Sequence, residues 1–225
     1  MVGVANGEPA ADPRLDDHLV DRAGLLDADR YPAVAVQVID REASETWWGA
    51  SPPPTRLLVV LSAWVECGDD ADELVAVVAG SCRGAGTSTA AVVVTETVPR
   101  WEAAPSAVLT ALLHRRDGST HDEFVDHWRD GHQPLSFRIH PQCTYVRNDV
   151  SRRVLGESSF DAICDEGVRD VADVLDPARF YGADGGDWKA NRRVIGADVP
   201  KFLDPATTAS IMRETRIRDL PTTRR

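Results

Sequence analysis

The sequence predicts an α+β chain built from two ferredoxin-like modules in tandem. Three observations point there. The 225 residues suit two units of roughly 100 residues each. The second half reads in the order βαββαβ, the split βαβ pattern. The first half gives the same order short of its opening strand, so a diverged internal duplication is expected.

Residues 1–15 are rich in Ala, Gly, Pro and Asp without periodicity, and a frayed, flexible N-terminus is expected there. The first module is placed at 16–105. Residues 16–26 carry Leu19, Val20, Ala23 and Leu26 on one helical face, and 31–39 form a β-branched run suited to a buried strand. After a loop punctuated by Pro52, Pro53 and Pro54, a strand is expected at 56–65, an acid-capped helix at 69–80 and a strand at 90–98. Pro99 and Pro105 bracket a stretch in which neither helix nor sheet continues easily, which sets the boundary at 105/106. In the second module, 106–225, strands are expected at 108–114, 144–150, 159–164 and 210–217, with helices at 120–131 and 168–176. Residues 182–199, with Trp188, and 46–54, with Trp47 and Trp48, read as loops suited either to closing over a pocket as lids or to forming exposed partner-binding patches. Two such modules can pack their sheets together and bury cores that would be marginal alone.

Composition narrows the function. Hydrophobic residues are 43% and charged residues 27%, ordinary globular usage. The apolar runs at 57–65 and 90–94 are too short to cross a bilayer about 30 Å thick as helices, so no membrane role is expected. Residues 1–17 do not pair a positive start with an apolar run, and a cytoplasmic location is expected. The net charge of −11 is uneven, with 7 basic and 17 acidic residues before position 106 against 18 and 19 from there on. Such a chain is repelled by phosphate backbones, so no nucleic-acid partner is expected. Cys67, Cys82, Cys143 and Cys164 form no CxxC pair, which argues for free thiols and against a zinc or dithiol site. A hydrophobic small molecule is the expected partner.

Five of the six histidines, His114, His121, His127, His132 and His140, fall within 27 residues. There is no HExxH or facial carboxylate pattern, and no metal is expected. Thr120 reads as an N-cap with Glu123 at the third helical position, while Phe124, Val125 and Trp128 mark the buried face. His132 follows Trp128 by four positions and shares that face, next to Gly131 and before Pro134. On the same spacing His121 and His127 turn towards solvent. A histidine at such a helix end suits a catalytic role or a bond to a backbone carbonyl.

The run Leu112 to Leu135 resembles the EthD family pattern, with Phe124, Trp128, His132, Pro134 and Leu135 in its characteristic places. Tyr145 in the next strand, Phe160 and Asp161, then Phe202, Leu203 and Asp204 ahead of the last strand with Glu214, extend the likeness over about 110 residues. No counterpart of the Phe-Trp-His helix is visible before residue 106. The resemblance implies a dimeric α+β barrel, here a single-chain pseudo-dimer, acting alone or as a homodimer, with an apolar pocket between sheet and helices. It also implies chemistry without a cofactor, or haem in some barrels of this class.

A neutral imidazole has an unperturbed pKa near 6.5, suited to taking a proton from an activated carbon or phenol. His132 is therefore the candidate general base. Tyr145 and Arg115 are candidate donors to the enolate or phenolate that forms. Phe124, His127, Trp128, Asp161 and Trp188 are the candidate substrate contacts. The leading expectation is a cofactor-independent lyase or cyclase acting on an aromatic or polyketide-like molecule. The alternatives are a non-catalytic binding or accessory protein, and a haem- or oxygen-using member of the same barrel class, monooxygenases included.

Overall fold

The computed structural model describes residues 2–6, 33–39, 57–64, 68–84, 88–156, 160–205 and 208–214. Eight strands close into a barrel in the order β1-β3-β2-β8-β5-β7-β6-β4. They are β1 (Val2–Asn6), β2 (Ala33–Ile39), β3 (Leu57–Trp64), β4 (Ser88–Trp101), β5 (Ala107–Leu113), β6 (Thr144–Leu155), β7 (Ala162–Val168) and β8 (Ala209–Glu214). Within each half the sheet runs fourth, first, third, second strand, the ferredoxin-like arrangement. Each half would present two bare edges. Instead β4 pairs with β6 and β2 with β8, so among the described residues every strand has a partner on both sides, which removes the edges that invite aggregation.

Five expectations need correction. The strand expected at 90–98 does not stop at Pro99: β4 runs on to Trp101, with a register shift between Thr97 and Arg100 after which Arg100 and Trp101 pair with Tyr145 and Thr144. Val2–Asn6 was expected to be a frayed terminus and the first module to lack an opening strand. It is a strand held on both sides, by β3 and β4. Its small residues give a weak local signal, and pairing with two longer strands overrides it. β7 starts at Ala162 and continues to Val168, past the expected end at 164, because its acids have partners: Thr110 Oγ1 donates to Asp165 Oδ1 at 2.6 Å, and Gln142 Nε2 to Glu166 Oε2 at 2.7 Å. Gly167 in this strand is a close-approach position, since a Cβ would run into Thr144 Oγ1 and Pro105. The helix expected at 168–176 shrinks accordingly to α4 (Ala172–Leu175), followed by α5 (Pro177–Phe180). The loop expected at 182–199 contains the helix α6 (Trp188–Asp198), capped by Asp187, which accepts from the Lys189 N–H at 2.9 Å. The helix expected at 16–26 and the loop at 46–54 lie outside the described residues.

Alternation sorts the core into two layers. Leu112 joins Val92, Val150, Phe160 and Ile163, from strands of both halves, inside the barrel. Leu109, Ala111 and Leu113 point the other way, towards the helices of the second half. α1 (Gly68–Gly84) belongs to the first half and buries Ala71, Leu74, Val75 and Ala79. No helix among the described residues is long and apolar enough to cross a membrane.

Candidate active site

The helix that carries the histidines starts at α2 (His121–Asp126) with a complete capping box. Glu123 N–H donates to Thr120 Oγ1 at 3.2 Å, and Thr120 N–H to Glu123 Oε2 at 2.8 Å. It then widens into a π-helical turn, His127–His132, before α3 (Gln133–Ile139). Pro134 supplies a cause. It has no N–H to give, and its ring crowds the carbonyl four residues back, that of Asp130, a strain that a wider turn relieves.

That turn decides the geometry of the site. An α-helix advances about 100° per residue, which leaves positions five apart on different faces. A π turn closes on the fifth residue and aligns them. His127 and His132 are five apart, and both reach one carboxylate on α6: His132 Nδ1 lies 3.0 Å from Asp198 Oδ2, and His127 Nε2 lies 3.1 Å from Asp198 Oδ1. His127 therefore faces inward, against the solvent-facing direction expected from α-helical spacing. Lys201 Nζ donates to Asp198 Oδ1 at 3.2 Å. The bond from His132 holds the Asp198 carboxyl well below the usual carboxylate range; burial opposes it, and His127 and Lys201 add to it. A carboxylate only accepts, so His132 must carry its proton on Nδ1, which leaves Nε2 as the basic nitrogen.

His132 forms part of the wall of a cavity of about 180 Å³ between the sheet and the helices. Every described lining residue lies between Leu109 and Ser210, in the second half of the chain. The wall is mostly apolar: Leu109, Ala111 and Leu113 from β5 face Ile195, Val199 and Phe202. Phe202 stacks on His127 at 5.1 Å and meets His132 at 5.0 Å between ring centroids, which fixes both imidazoles. Tyr145 and Trp128 line the cavity too. The Trp128 indole N–H donates to the Tyr145 hydroxyl at 2.9 Å, and Cys164 belongs to the same buried cluster. Burial pushes the Tyr145 hydroxyl well above its ordinary range, so it is a neutral donor. A phenol that accepts from an indole still has its own proton to donate.

A second histidine–carboxylate pair, absent from the sequence reading, lines the same cavity. Glu166 Oε2 accepts from Gln142 Nε2 at 2.7 Å and from His140 Nδ1 at 3.2 Å. The His140 ring stacks on Phe180 at 4.0 Å. Burial pushes the Glu166 carboxyl up, but the bond and charge of His140, the bond from Gln142 and the charge of His132 together bring it below its usual range. The signal for Asp198 and Glu166 was an acid in register with apolar residues. Asp198 falls among Ile195, Val199 and Phe202, and Glu166 lies on the strand face of Cys164 and Val168.

Of the expected residues, His132, Tyr145 and Trp128 meet at the cavity. Phe124 stacks behind Trp128 at 5.7 Å and Phe202 at 6.0 Å, fully buried, while His127 lies behind Phe202. Arg115 and Asp161 are not part of this wall. Asp161 Oδ2 accepts the Arg115 backbone N–H at 3.0 Å, the Arg115 guanidinium donates to the Ser119 carbonyl at 2.8 Å, and both line a separate polar pocket past the end of β5. The strand ends at Leu113, so the chain turns before Arg115 can share its face. Trp188 is half-buried at the start of α6, beside Lys189, and does not line the cavity.

Haem does not fit this site. The cavity is close to the 150 Å³ of an engineered cavity that takes up benzene, far too small for a macrocycle, and no described lining residue is a lysine or arginine to pair with propionates. Among the described residues no group of three or more His, Cys, Asp or Glu side chains is placed to hold a metal ion.

Fold and site together define a closed α+β barrel with a mostly apolar cavity that His132 and His140 help to line. No known protein family and no curated protein matches the sequence, so the EthD resemblance rests on the residues quoted for it. Solved structures do match the fold. One is an anthrone oxidase-like protein, similar over 98% of this chain and 93% of its own, with a TM-score of 0.63 and 11% identity. Another is a candidate monooxygenase from Lactobacillus acidophilus NCFM, over 94% and 91%, with a TM-score of 0.53 and 4% identity. At these identities the likeness is one of fold.

Proposed function

We propose that this chain is a cofactor-independent oxidoreductase that uses dioxygen on a small hydrophobic aromatic molecule with an acidic ring carbon, and that it belongs with the EthD-like barrels. The observation that carries the reading is the His132–Asp198 pair set at a mostly apolar cavity. Asp198 fixes the Nδ1–H tautomer and stabilises the imidazolium that forms, the role a carboxylate plays behind a catalytic histidine. His132 Nε2 takes a proton from a ring methylene conjugated with a carbonyl. The electron pair left on carbon is stabilised by the Tyr145 hydroxyl, which donates to the enolate oxygen. The carbanion passes electrons to dioxygen and a C–O bond forms. The resulting hydroperoxide loses water to leave a ketone, so that CH2 and O2 give C=O and H2O. The apolar wall excludes water, which would otherwise quench the carbanion. The two fold neighbours described as an anthrone oxidase-like protein and a candidate monooxygenase favour oxygen chemistry over the lyase or cyclase reading.

The test is oxygen uptake with cyclic benzylic ketones from two rings up to the three of anthrone. Since the cavity compares with one that holds a single ring, the smaller compounds are expected to react faster. The His132→Ala protein should lose on the order of a hundredfold or more of the rate, the usual weight of general base catalysis, with its far-UV circular dichroism unchanged. Undiminished uptake by a folded His132→Ala protein sinks the assignment. Product formed equally well without oxygen returns the lyase or cyclase reading.

A further inference from the structure

Glu166 is the only carboxylate among the described residues that line the cavity, and the oxygen chemistry leaves it unused. A charged group in a mostly apolar wall is costly to keep unless its bonds are met. Those of Oε2 are met by Gln142 and His140. Behind them Gln142 Nε2 also bonds Ser136 Oγ, and His140 Nδ1 lies 3.3 Å from that same oxygen. The carboxylate is thus locked in one orientation. Its other oxygen, Oε1, takes no hydrogen bond from any described group, and Glu166 is part of the cavity wall. An ionised carboxylate is acceptor-only, so a ligand group that meets Oε1 must be a donor.

We propose that Glu166 determines specificity in this cavity, its Oε1 accepting a hydrogen bond from a hydroxyl on an aromatic ligand, so that the chain takes phenols in preference to ethers or hydrocarbons of the same shape. This rests on the reading of the cavity as the substrate site. A neutral hydroxyl is preferred to an ammonium group because His140 already faces the Glu166 charge directly. Trp128, Phe180 and Phe202 supply aromatic surface for the ring, and Gln142 and His140 are positioning residues that act through Glu166. Bonding to a carboxylate also pushes electron density from the phenol into its ring, which favours electron transfer to oxygen.

The experiment is calorimetric titration of the full chain, without oxygen, with phenol, anisole, toluene and benzylamine. One hydrogen bond to a charged acceptor should make phenol bind about ten- to a hundredfold more tightly than anisole or toluene. Glu166→Gln keeps an oxygen for Gln142 and His140 but turns the free position into an amide donor, so the phenol-to-anisole ratio should fall towards one. Equal binding of phenol and anisole by the wild-type protein overturns the proposal, as does an unchanged ratio in Glu166→Gln, or benzylamine binding tightest. Should Glu166→Gln not fold, the wild-type series decides alone. None of these ligands reacts in the absence of oxygen, so the result is independent of whether His132 proves to be the base.

Discussion

At the scale of single residues, the site depends on Asp198, which holds His132, His127 and Lys201 at once. Asp198→Asn is expected to do more than remove a charge. An amide nitrogen turned to His132 Nδ1 would place the imidazole proton on Nε2, the wrong tautomer for a base, so the rate should fall on the order of a hundredfold or more. KM should change little, because Asp198 does not line the cavity. The carboxyl also has a stability signature. Its pKa is lowered by folding, so its contribution is fully present above the unfolded value near 3.9 and is lost as pH falls through the lower folded value. Urea denaturation should show the gap between wild type and Asp198→Asn to be widest near pH 5 to 6 and to narrow steadily below pH 4. A gap that widens on acidification would contradict the bond to His132 as its source. His132 was legible in the sequence because Phe124, Trp128 and Pro134 frame it. Asp198 was not, since it lies 66 positions away in a segment that reads as a loop.

At the scale of elements, the cap of the histidine helix was readable from Thr120 and Glu123, but its π turn was not. The apolar spacing of Phe124, Val125 and Trp128 fits an α period, and only the placement of Pro134 and the five-residue interval between His127 and His132 hint at a wider turn. α6 escaped for a different reason: its opening Ala-Asp-Gly-Gly-Asp reads as a loop, and of its eleven residues only Ile195 and Asp198 are fully buried. The π turn can be tested at Gly131. A Cβ there would lie 3.3 Å from His127 Nε2 and 3.4 Å from Cε1, tight enough to push that ring off Asp198. Replacing a helical glycine by alanine gains about 0.5–1 kcal/mol of backbone entropy, which offsets the lost bond. Gly131→Ala should therefore melt within a few degrees of wild type and yet lose severalfold in oxygen uptake. Full activity in that variant would show that His127 is dispensable.

At the scale of the whole molecule, two halves with different roles close one barrel. The described lining of the cavity comes from the second half alone, while the first half supplies the strands that complete the sheet. The tandem order was legible because strand runs such as Leu57–Trp64 and Ala107–Leu113 are strongly apolar. β1 was hidden because Val2–Asn6 becomes a strand only between β3 and β4, a contact that no local pattern encodes. Closure is uneven. β4 and β6 share a long seam, with register from Ala91↔Leu155 to Trp101↔Thr144, whereas among the described residues β2 and β8 meet only at Val38↔Glu214 and Ile39↔Arg213. Opening a short seam exposes fewer backbone groups and little apolar surface, so local opening should start there. Native-state hydrogen exchange should find the amides of Val38 and Ile39 less protected than those of Val94 and Thr95 by a factor of ten or more, and the difference should persist when a ligand fills the cavity, since neither pair of residues lines it. Equal protection at both seams would mean that the barrel opens only by global unfolding, and that its two halves act as one cooperative unit.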